Sequence, residues 1–187
     1  AKVERPTPPK SCEGFQIHMG PIFYAPGEES EYYQRYDLNL TDTMEVIGTY
    51  TVFNSESHHF IMTKYINNTA QYWPQGLVKQ TDTTAFGGDK EFLVACLNGD
   101  SYQLPNGTAF LWDQNESLDL DFHLFNPYSE VLAAEVYINV YTQPKGNTLK
   151  EMQSKLAHNY GIVIPNDSSS TTILHHVPIG NASISNL

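Results

Sequence analysis

The stretch "SLDLDFHLFNP", residues 117–127, alternates apolar and polar side chains until it meets a proline. On a pleated strand successive side chains point to opposite faces, so Leu118, Leu120 and Phe122 fall on one side and Asp119, Asp121 and His123 on the other. The pattern predicts a half-buried strand with His123 turned away from the apolar interior. Pro127, which has no N–H to give a central ladder, marks its end.

The same texture extends in both directions. Short β-like runs separated by turn signals read "FQIHMGPIFYAPGEE", "YYQRYDLNL", "EVIGTYTVF", "HHFIMTKYI", "EFLVACLNGD", "AFLWDQ", "LDLDFHLF" and "AEVYINVYTQ". Runs at this spacing predict an all-β fold, an antiparallel jelly-roll β-sandwich with at most one short helix. The composition agrees: aromatics make up 12% of the 187 residues, and Tyr, Thr, Asn, Val and Ile are abundant. One main domain is expected over residues 15–145, preceded by an extended arm over 1–14 that contains Pro6, Pro8 and Pro9. Residues 146–187 form a C-terminal extension. Within it only "NTLKEMQSKLAHNYG" looks helical, with Leu149, Met152 and Leu156 in rough register and Gly161 as a stop.

Charge and hydropathy exclude several classes of partner. A net charge of -11 repels polyphosphate, and no Lys/Arg cluster tracks a nucleic-acid backbone or an anionic membrane surface. No apolar run approaches the roughly 20 residues that span a bilayer. Cys12 and Cys96 belong to no CxxC and to no zinc-like spacing; compartment and parity predict that they form one disulfide. Six N-x-S/T sequons begin at Asn39, Asn67, Asn106, Asn115, Asn166 and Asn181. Both features point to a secreted protein, extracellular or periplasmic.

The histidines carry the chemistry. His58 and His59 are adjacent in "NSESHHFIMTKY", and on a regular strand they would face opposite ways. A bulge at the irregular lead-in "NSES" lets both imidazoles straddle one ion, and His123 is the third candidate. Three neutral imidazoles without thiolate suit copper or zinc, and the Irving–Williams order favours copper. His18, His158, His175 and His176 read as turn or surface residues, and Met62, alternating with Phe60, as core. There is no HExxH and no GxSxG.

"GPIFYAPGEESEYYQRYDLNL", then "HHFIM", then "LDLDFHLFNP" with its histidine 64 residues after His59, and "EVYINVYT" resemble the N-terminal jelly-roll domain of the copper type II, ascorbate-dependent monooxygenases. The resemblance covers residues 15–145. It implies an electron-transfer copper on His58, His59 and His123, one ion per chain, with ascorbate or a similar reductant as electron donor. It also implies a second copper domain or partner chain where oxygen attacks a small-molecule or peptide substrate. That second site uses an HxH, and none occurs here, so the chain alone is expected to bind copper and relay electrons without completing turnover. "IVIPNDSSSTTILHHVPIGNASISNL" resembles the opening strand of such a second jelly roll. The rival expectation is an exported β-sandwich that recognises glycan or protein through surface aromatics such as Tyr72, Trp73 and Trp112, with no metal.

Overall fold

The computed structural model describes residues 3–67, 69–81, 90–96 and 101–154, all of which lie before a division in the chain's contacts between Ser154 and Lys155. His158, His175, His176, Gly161, the sequons at Asn166 and Asn181, and the stretch resembling a second domain lie outside the described residues.

Alternation becomes strand throughout. The strands are β1 (Gly14–Tyr24), β2 (Glu29–Asp37), β3 (Met44–Phe53), β4 (Ser57–Tyr65), β5 (Gly76–Lys79), β6 (Lys90–Cys96), β7 (Ser101–Gln103), β8 (Thr108–Trp112), β9 (Ser117–Phe125), β10 (Leu132–Gln143) and β11 (Lys150–Glu151). The one helical element among the described residues is a 3-10 turn over Thr69–Tyr72. One sheet runs β1-β10-β3-β8-β11 with β7 also paired to β3; the other runs β5-β2-β9-β4-β6. The order β1-β10-β3-β8 against β2-β9-β4-β6 is that of a jelly roll, as the strand pattern predicts.

The core lies between the two sheets. Leu118, Leu120, Phe122 and Leu124 of β9 are fully buried, as are Ala134, Val136, Ile138 and Val140 of β10. Phe53 bridges the layers, its ring 5.8 Å from that of Phe122 and 6.3 Å from that of Phe60. Met62 is core, as expected. On β1 a register shift between Met19 and Ile22 lets Ile17, Met19, Ile22 and Tyr24 all turn inward, although their spacing is not strictly two. At the end of β9 the fully buried Asn126 donates from Nδ2 to the carbonyls of Tyr24, Ala25 and Glu130 and accepts from the Tyr128 N–H. It ties the β1–β2 and β9–β10 turns together immediately before Pro127.

Three expectations need correction. The described part of the helical-looking stretch is not helix: Leu149 N–H and Met152 N–H donate to Gly107 and Ala109 carbonyls, and Lys150–Glu151 pair in parallel with β8. Leu149 is 86% exposed, so the apolar spacing there does not define a buried helical face. Trp112 is not a surface aromatic; it is 1% exposed, against Phe15, because the alternation of β8 turns it inward. Third, Cys12 is exposed and its thiol is free, so the expected bridge to Cys96 is not formed.

Candidate metal centre

The outer face of the second sheet gathers the chemistry. On β9 the polar half of the alternation, Asp119, Asp121 and His123, points away from the core that Leu118, Leu120 and Phe122 enter. β4 lies on one side of β9 and β2 on the other, with His59 and Glu31 both opposite His123. The pairing of β4 with β9 shifts register between Ser57 and His59, which is the bulge that two consecutive histidines require. Ser57 fixes it: its Oγ lies 2.7 Å from the His123 carbonyl oxygen and 3.0 Å from that of His59.

His58, His59 and His123 therefore meet on one patch. The His58 and His123 rings have centroids 4.6 Å apart at 84°, and those of His59 and His123 are 5.3 Å apart at 62°. The donor atoms sort into two sets. Glu29, His58 and His123 each offer an atom within 4.8 Å of the others, and so do Glu31, His59 and Asp121. Glu29 Oε1 stands 3.3 Å from His123 Nε2 and 3.7 Å from His58 Nδ1, while Glu31 Oε1 stands 3.6 Å from His59 Nε2. His123 touches both of the paired histidines, but the closest donor sets place His59 with carboxylates rather than with the other two imidazoles.

The sets differ in depth. Glu29 and His58 are about half exposed, which leaves the first open to solvent. The second is sunk, with Asp121 2% exposed. Burial, and then the neighbouring His123, lowers the pKa of His59 below its ordinary 6.5. Burial, and then Glu31, raises that of Asp121 well above the ordinary carboxyl range.

Glu29, Glu31 and Ser57 escape a reading that starts from histidine. The signal for the two glutamates was present in "EESEYY", where Glu29 and Glu31 are two apart and so share a face, but nothing local places that face beside His123. The other described histidine, His18, is remote from the patch: it stacks on Tyr137 at 4.5 Å and pairs with Glu135 at 3.1 Å. Of the remaining surface aromatics, Tyr72 is 77% exposed, and Trp73 packs near Tyr65 and over Lys90. Compared with known proteins, the chain matches no family model and no curated sequence.

Proposed function

We propose that this chain is a secreted copper-binding β-sandwich domain, the electron-transfer half of a monooxygenase-like protein, with its metal at the cluster of His58, His59 and His123. The observation that carries the reading is that His58 and His59 each lie against the ring of His123, with the donor atoms of His58 and His123 within 4.8 Å of each other. An imidazole nitrogen at about 2 Å from an ion puts its ring centroid roughly 3.2 Å away, so two such rings at a tetrahedral angle have centroids about 5 Å apart. The distances of 4.6 Å for His58 with His123 and 5.3 Å for His59 with His123 suit such sharing of an ion within each pair. Glu29, beside His58 and His123, supplies a carboxylate that adds to the attraction for a cation, as does the net charge of -11.

Nitrogen donors without thiolate favour copper over other divalent metals at equal geometry. Copper held there would supply single-electron exchange with a reductant such as ascorbate. His58 and His123 would hold it with the bulge pinned by Ser57, and the half-exposed His58 and Glu29 leave that edge open to solvent. With no HxH in the sequence, a partner domain is needed for attack on a substrate.

Copper titration of wild type and His123→Ala tests the reading. Wild type should bind copper tightly at the cluster, and His123→Ala should bind it at least about tenfold more weakly, since even outer-shell changes cost that much. Equal affinity in the variant would place the site elsewhere.

A further inference from the structure

Asp119 and Asp121 share the outer face of β9 but not the same surroundings. Asp119 receives a hydrogen bond from Lys90 Nζ at 2.6 Å, and that ammonium lies over the rings of Tyr65 and Trp73. Asp121 has no such counter-charge in hydrogen-bonding contact. It is 2% exposed, and neither carboxylate oxygen accepts a hydrogen bond from the described residues. His59 Nε2, also buried, makes no hydrogen bond either, its ion-pair partner Glu31 Oε1 standing 3.6 Å away.

Two carboxylates and an imidazole thus present donor atoms within 4.8 Å of one another, with Asp121 the deepest of the three. Two carboxylates this close, one withdrawn from water, must share a proton or a positive charge, and Lys90 Nζ is engaged by Asp119. A divalent cation would neutralise both acids and give His59 Nε2 a partner. Two oxygens and one nitrogen, with a fourth position for water, form a donor set that zinc accepts.

We propose that Glu31, His59 and Asp121 form a second, deeper cation site of zinc type, beside the exposed set of Glu29, His58 and His123. This assignment takes His59 out of the three-histidine set of the proposed function and leaves the outer ion with His58, His123 and Glu29, so it revises that ligand set while keeping an outer metal. The inference holds whether or not the outer ion is copper.

The test uses the full chain stripped of metal and titrated with Zn²⁺ alone, with metal content measured after desalting. Wild type should retain two ions per chain, and His58→Ala and Asp121→Asn one each. Asp121→Asn should lose the ion that His58→Ala keeps. His59→Ala should behave like Asp121→Asn; if it behaves like His58→Ala, His59 belongs to the outer set and the proposal fails. One ion that is lost in His58→Ala and kept in Asp121→Asn would overturn the deeper site while leaving the proposed function standing. The reverse pattern would support the deeper site and remove the outer one. Should Asp121→Asn not fold, Glu31→Gln makes the same test, and zinc uptake equal to wild type in that variant overturns the proposal.

Discussion

Asp121 and His59 bend the pH dependence of this protein in opposite directions. The Asp121 carboxyl has its pKa raised by burial and by Glu31, so in the metal-free protein folding takes up a proton there. Its contribution to stability is complete below the ordinary value of 3.8 and is lost as pH rises through the elevated folded value. His59 has its pKa lowered by burial and by His123, so stability at that residue is complete above 6.5 and is lost as pH falls through its folded value. Thermal melts of metal-free protein should therefore carry a declining component from pH 3.8 upwards, and Asp121→Asn should remove it over that whole range. A variant as pH-sensitive as wild type above neutrality would contradict the burial of an unpaired acid. Cys12 gives a second residue-scale expectation. Because its thiol is exposed and free, it should react with an alkylating reagent in native, unreduced protein, as intact-mass measurement would show.

Among the elements, β9 joins fold and site. One face of it is core and the other carries Asp119, Asp121 and His123, so substitutions on the two faces should separate stability from binding. Phe122 is fully buried and packs against Phe53. Phe122→Ala should cost about 3–5 kcal/mol, read by denaturant unfolding, and should leave copper affinity unchanged in the fraction that remains folded. The two faces of β9 are legible in the sequence because alternation is a property of one strand. So was the need for a bulge at His58, because two neighbouring residues cannot share a face without one. The acidic half of the site was not legible. Glu29 and Glu31 reach the histidines through the pairing of β2 with β9, which joins residues about ninety positions apart; that register follows from strand pairing, and no local pattern encodes it. The helical look of residues 147–154 misled because its apolar spacing is short, and the free edge of β8 offered Leu149 and Met152 backbone partners.

For the molecule as a whole, the contacts divide between Ser154 and Lys155, and the described residues up to Ser154 contain the whole described core and both donor sets. A chain ending at Ser154 should therefore give a β-type circular dichroism spectrum, melt in one cooperative step and bind metal as the full chain does. Loss of the cooperative melt would show that the core depends on residues 155–187. The sequence by itself determined the sandwich: its alternating runs and turn signals specify which side chains are apolar and which way each strand must face, and two such sheets have few ways to bury those faces. It also determined that His123 points outward and that His58 and His59 need irregular backbone. Only the tertiary structure decided that Trp112 is core, that the Cys12 thiol is exposed and free, and that Asp121 is buried beside Glu31 and His59. These depend on which strands become neighbours and in what register, and burial on the outer face is set by what packs over it. Both are long-range outcomes that a period of two cannot carry.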